Sequence, residues 1–189
     1  MSEIEKIAKQ ILTKGKGILA ADESTGTMTK RLSSVNVEST NQNRLKFRET
    51  LFSAEGMKNY IGGVILYDET IKQKTSSGKT IPELISSFGS IPGIKVDTGA
   101  KKLATSHEEK ITEGLDGLRE RLAEYYELGA RFTKWRAVYN ISEKHPSELA
   151  IKSNAHALAR YAALVQEVKM VPIVEPEVLM DRDHDINKC

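Results

Sequence analysis

The sequence predicts an α/β fold in which parallel strands alternate with helices. Short apolar runs rich in β-branched residues recur along the chain, and amphipathic helical patterns fill the gaps between them. From the start of one run to the next is roughly 30 to 45 residues, the size of one βα unit, and no low-complexity linker intervenes. One continuous domain over residues 1–189 is therefore expected.

The elements follow in order. "MSEIEKIAKQIL" mixes acids, bases and apolar residues at helical spacing. "GKGILAAD" (15–22) reads as the first strand. "ESTNQNRLKFRETLF" fills the next gap as a helix, with Leu45, Phe47, Leu51 and Phe52 as apolar anchors. "IGGVILYD" (61–68) is the second strand, "TIPELISSF" a short helix and "GIKVD" (93–97) the third strand. In "TEGLDGLRERLAEYYELGA", Leu115, Leu118, Leu122 and Tyr125 form one helical stripe, with Gly129 placed as a stop. "RFTKWRAV" (131–138) is the fourth strand. "PSELAIKSNAHALARYAALVQEV" is a helix with Ser147 as N-cap and Leu158, Ala162 and Val165 on its inner face. "VPIVEPEV" (171–178) is the fifth strand.

Two architectures accommodate this pattern: an open doubly wound sheet, or part of a closed (β/α)8 barrel, which needs about 250 residues or more. Length favours the first and residue chemistry the second.

Composition excludes several classes. The 28 basic and 26 acidic residues nearly cancel and form no block of like charge, so neither nucleic acid nor an anionic membrane is an expected partner. The N-terminal residues lack the apolar core of a secretory signal, and no stretch approaches a membrane span. With Cys189 as the single cysteine, no intramolecular disulfide is available, and a reducing cytoplasm is the expected setting. The histidines, His107, His145, His156 and His184, are scattered, and "DRDHD" reads as a polar loop rather than a metal-ligand set.

Charges cluster late in the strands. Asp22 closes the first, Lys95 and Asp97 the third, Lys134 and Arg136 sit in the fourth, and Glu175 and Glu177 in the fifth. Spacing by two puts each pair on one face. Parallel strands bring their C-terminal ends together, which is where α/β proteins bind ligands. Buried singly these charges would be costly; in a mutual network, or facing an anion, they compensate one another. Lysines beside an arginine suit phosphate or enolate oxygens, and one of them can supply an amine for attack on a carbonyl. Glutamates in contrasting surroundings can serve as general acid and base. The pattern points to a phosphorylated carbonyl substrate and proton transfers.

"GKGILAADESTGTMTKRL", "IGGVILYDET", "GIKVDTG", "GLDGL", "GARFTKWRAV" and "VPIVEPEVL" followed by "DHDI" resemble, in order and spacing, the N-terminal half of class I fructose-1,6-bisphosphate aldolases. The resemblance runs over nearly the whole chain. It implies a (β/α)8 barrel, here its strands 1–5 with their helices, and an oligomer of identical subunits. The implied reaction is reversible cleavage of fructose 1,6-bisphosphate to dihydroxyacetone phosphate and glyceraldehyde 3-phosphate, through a lysine Schiff base and with no metal or other cofactor. Asp22 resembles the aspartate that handles protons at the C4 hydroxyl. Lys95 and Lys134 resemble the lysines that bind phosphate and support charge around the carbinolamine, with Arg136 their anion-binding neighbour. Glu175 resembles the general acid/base of Schiff-base formation and Glu177 its partner. Ser24, Thr27 and Arg31 resemble a phosphate-contacting loop, and Arg44 a substrate-associated arginine.

In the family the Schiff-base lysine lies on the sixth strand, and these residues reach the fifth. The expectation is that they are inactive alone and poorly stable, because five strands of a barrel leave two edges unpaired. A non-catalytic binding or subunit-interaction protein is the alternative.

Overall fold

The computed structural model describes residues 1–106, 108–181 and 183–189. His107 and part of the "DRDHD" run lie outside the described residues. Helix α1 (Glu3–Ile11) opens the chain under a capping box: the Ser2 backbone N–H donates to Glu5 Oε2 at 2.8 Å, and the Ser2 hydroxyl accepts from the Glu5 N–H. The strands β1 (Gly17–Ala20), β2 (Ile61–Leu66), β3 (Ile91–Lys95), β6 (Phe132–Tyr139) and β7 (Val171–Val178) form one sheet, all parallel, in the order β1-β2-β3-β6-β7. Each new strand is added beside the one before it on the same side. A doubly wound sheet reverses direction at a switch point, and this one does not. The strands curl into a half-barrel, which corrects the open-sheet alternative that length had favoured.

The two faces divide the labour. On the outer face Val64, Leu66, Ile94, Val96, Trp135 and Ala137 are fully buried, packed with Leu118 and Leu122 of α7 (Leu118–Glu127) and Leu158, Tyr161 and Val165 of α8 (Glu148–Glu167). Trp135 stacks on Tyr161 with ring centroids 5.3 Å apart, and the Tyr161 hydroxyl lies 2.7 Å from the buried Thr133 hydroxyl. The inner face is apolar at its lower end, where Ile7 and Ile11 of α1 pack with Ile65 and Phe132. It becomes charged toward the strand C-termini. Strand β6 alternates between these surroundings and is buried from Phe132 to Trp135, while Arg136 near its C-terminal end is exposed.

Local chemistry sets the helices. Ser147 caps α8, accepting from the Ala150 N–H at 3.2 Å, and Gly129 takes φ 107° directly after α7, which favours glycine. The helix α3 (Asn41–Phe52) departs from expectation: Phe47 is exposed, while Arg44 and Arg48 turn inward beside Phe52. An apolar anchor is displaced there because both guanidiniums find acceptors inside. The hairpin of β4 (Gly99–Lys102) and β5 (Lys110–Glu113) has no counterpart in the sequence reading, and β5 takes up the start of the stretch read as helix. It is tied down by the Thr112 hydroxyl donating to Arg136 O at 2.7 Å and by Asn154 of α8, whose side chain accepts from the Thr112 N–H and donates to Lys110 O.

Next to this hairpin the buried Glu109 holds the start of α8. Its carboxylate accepts from the Ser147 N–H and hydroxyl, both at 2.6 Å, and from the Ser106 hydroxyl at 3.1 Å. Burial pushes this carboxyl up, but those hydrogen bonds, helped by His145, outweigh it and hold the group below its ordinary value of 4.5. A depressed folded-state value stabilises the fold above the unfolded value and loses that contribution as pH falls through the folded one. Glu109→Gln should therefore lower the melting temperature at pH 7, with the gap to the parent narrowing below about pH 4. A gap that is constant with pH would refute the ionised anchor.

Candidate active site

Six of the expected site residues line one cleft of about 380 Å³ at the C-terminal ends of the strands: Asp22, Ser24, Thr27, Lys95, Lys134 and Arg136. Their positions follow from the strands. Asp22 lies just beyond β1. Lys95 ends β3 and is in register with Lys134 of β6, while Arg136 is in register with Glu175 and Val138 with Glu177 of β7.

Each cation is matched. The Lys134 ammonium donates to Asp22 Oδ2 at 3.2 Å and lies 3.4 Å from Glu175 Oε2, so one buried cation bridges the two carboxylates. Lys95 donates to Asp97 Oδ1 at 2.6 Å and to the Asp97 carbonyl at 2.9 Å. The same Asp97 carboxylate accepts from the Gly99 N–H at 3.0 Å and the Arg136 N–H at 3.4 Å, fastening β3, β4 and β6 around the cleft. Arg136 donates to Glu177 Oε2 at 2.8 Å. Glu175 and Glu177 thus join the site through Lys134 and Arg136, on its β7 side. Neutralised in pairs, the charges persist in a partly buried setting and can be redirected toward an anion.

The loop after β1 leads into a helix absent from the sequence reading, α2 (Thr25–Ser33). Ser24 is its N-cap: its oxygen accepts from the Thr27 N–H at 3.4 Å and sits 3.2 Å from the Thr27 hydroxyl. Arg31 lies outside the lining, two turns along α2, and its guanidinium pairs with Glu23. Arg44 is also outside the lining. It forms a two-pronged pair with Glu69, at 2.9 and 2.6 Å, and donates to Ser39 O at 2.6 Å. Those hydrogen bonds raise the Arg44 guanidinium above its ordinary value and pull the Glu69 carboxyl below its own.

Glu23, Tyr67, Asp97, Thr98, Gly99 and Ala100 also line the cleft. Asp97 stood in the strand-end pattern, without a role. Glu23 sits one residue off that pattern, and Thr98 to Ala100 arrive on a hairpin that leaves no alternation signal.

The model of the family "Fructose-bisphosphate aldolase class-I" matches residues 3–189. A "Probable fructose-bisphosphate aldolase class 1" of Xanthomonas campestris is 55% identical over 189 residues, which is 100% of this chain and 57% of that protein. "Fructose-bisphosphate aldolase 4, cytosolic" of Arabidopsis thaliana is 56% identical over 182 residues, 96% of this chain and 46% of its own length. The solved fructose-bisphosphate aldolase of Plasmodium falciparum, crystallised with TRAP and a small-molecule inhibitor, superposes with a TM-score of 0.94 at 46% identity, covering 98% of this chain and 54% of that one. The chain spans about half the length of the relatives it matches. It belongs to the class I fructose-bisphosphate aldolase family.

Proposed function

We propose that these residues form the substrate-preparing half of an enzyme that cleaves fructose 1,6-bisphosphate reversibly to dihydroxyacetone phosphate and glyceraldehyde 3-phosphate. The single observation that carries the reading is the ammonium of Lys134 between Asp22 and Glu175. In this reading Asp22 exchanges the proton of the C4 hydroxyl as the C3–C4 bond breaks or forms. Glu175, half-exposed and 3.4 Å from the same ammonium, moves protons at the C2 carbinolamine, with Glu177 as its partner. Lys134 orients both carboxylates and balances charge on the oxygen that leaves. Lys95 and Arg136 take phosphate and hydroxyl oxygens, and Ser24, Thr27 and Arg31 form the phosphate loop. Arg44, locked to Glu69, acts on substrate only by supporting α3.

Lys95 and Lys134 are each held by a carboxylate, so neither amine is offered for attack. The Schiff-base lysine is assigned to a sixth strand of the barrel, beyond the five described. Within one barrel domain, these residues supply the first five strands. The relatives named cytosolic support a cytoplasmic setting, and the family resemblance a homo-oligomer. No helix among the described residues is long and apolar enough to cross a membrane.

The 189 residues alone should bind dihydroxyacetone phosphate without forming a covalent adduct. Borohydride trapping read by peptide mass spectrometry checks this. An adduct on Lys134 or Lys95 would overturn the assignment of both as substrate-holding groups.

A further inference from the structure

Glu23 stands between two arginines that treat it differently. One carboxylate oxygen, Oε1, is taken by Arg31, whose side chain is 59% exposed. The other, Oε2, is buried and has no hydrogen-bond partner among the described residues. It lies 4.0 Å from Nη2 of Arg48, about 1 Å too far for a hydrogen bond. Arg48 is fully buried and spends Nη2 on the Glu23 carbonyl at 2.6 Å, while its Nε and Nη1 are without partners among the described residues. A buried guanidinium with two idle donors next to a buried carboxylate oxygen with no donor is a poorly satisfied arrangement. Burial pulls the Arg48 guanidinium below its ordinary value, and the charges of Glu23, Glu69 and Asp22 oppose that pull.

We propose that Glu23 is an internal stand-in for substrate phosphate: it occupies Arg31 when the site is empty and passes to Arg48 when a phosphate takes Arg31. The inference rests on the reading of Arg31 as a phosphate ligand. Its elements are all in place. Glu23 lines the cleft at the turn from Asp22 to Ser24, so its motion is felt where the phosphate loop begins. Its backbone is pinned by Arg48, so the carboxylate swings about a fixed point. The distance to close is short, and the receiving donors are already desolvated, so their burial adds no new cost at the moment of exchange. Phosphate binding thus carries a competing anion to displace, and the idle donors of Arg48 offset part of the cost of displacing it. Glu23 and Arg48 are positioning residues in this account, since Arg48 touches no ligand.

Inorganic phosphate is the probe, titrated into the 189-residue chain, with the arginine Nε–H signals followed by nitrogen-15 NMR. In the parent, phosphate should shift the Arg48 signal although Arg48 is buried. Arg31→Met frees Glu23, so its Arg48 signal should sit without phosphate where the parent's moves with it, and then stay put. Glu23→Gln should bind phosphate about two- to fivefold more tightly, the worth of one part-exposed ion pair. Phosphate binding that leaves the parent's Arg48 signal unmoved, or is no tighter in Glu23→Gln, overturns the exchange while leaving the sugar-phosphate reading intact. Failure of every form to bind phosphate overturns both. If Glu23→Gln unfolds for want of a counter-charge to Arg48, the exposed Arg31→Met change decides on its own.

Discussion

Lys134→Met lowers turnover of fructose 1,6-bisphosphate by about a hundredfold or more, the usual cost of removing a group that serves both proton transfer and charge stabilisation. The measurement uses these residues joined to the C-terminal half of the Xanthomonas relative, which supplies the rest of the barrel. The reason is geometric. Methionine keeps the length and apolar stem of lysine but removes the ammonium that lies 3.2 Å from Asp22 and 3.4 Å from Glu175. Two carboxylates then lie across a partly buried gap with no ammonium between them. Both proton-transfer roles assigned to the pair are disturbed at once. The loss should fall on kcat more than on KM, because Lys95, Arg136 and the loop after β1 still hold the phosphates. A variant with near-normal kcat and a raised KM would make Lys134 a binding group only.

Gly93→Ala is the substitution expected to cost most in stability. Gly93 lies on β3 opposite Phe132 of β6, on the inner face. A Cβ there would stand 2.3 to 2.5 Å from three atoms of the Phe132 ring, which is itself fully buried in the lower cluster. The ring cannot retreat, since Ile7, Ile11 and Ile65 close on it. Overpacking of this kind costs about 3 kcal/mol, and the midpoint of urea unfolding should fall accordingly. Gly26→Ala is the matching control: its Cβ would meet nothing within 4 Å, and it lies within α2. There alanine should stabilise by about 0.5 to 1 kcal/mol through helix propensity. Equal effects of the two changes would show that the Phe132 contact is not what demands glycine at position 93.

The strands were legible because their period and apolar content are local properties. All five are found where the sequence reading places them, with ends displaced by at most two residues. The curvature was not, because the open sheet and the barrel share those runs and differ in which strand neighbours which. The charged strand ends proved the better guide, since Asp22, Lys95, Lys134 and Arg136 converge on one cleft. What spacing could not give was pairing. Period two puts Lys134 and Arg136 on one face, but the two divide between separate partners, Asp22 and Glu175 for one and Glu177 for the other. The buried arginines of α3 were hidden for the opposite reason. Hydropathy marks apolar residues as anchors, yet Arg48 is a fully buried side chain because Glu23, distant in sequence, offers it a carbonyl. The β4–β5 hairpin escaped because its hold on the sheet is through Thr112 and Asn154, single side chains with no periodicity to announce them.

On the proposed reading these residues are one half of an aldolase site that the rest of the barrel completes. Cleavage of fructose 1,6-bisphosphate by the 189-residue chain, alone and mixed with the separately expressed C-terminal half of the Xanthomonas relative, tests it most directly. Turnover is expected in the mixture and from neither half alone. Turnover by the 189 residues alone, or a stable complex of the two halves without turnover, would contradict it.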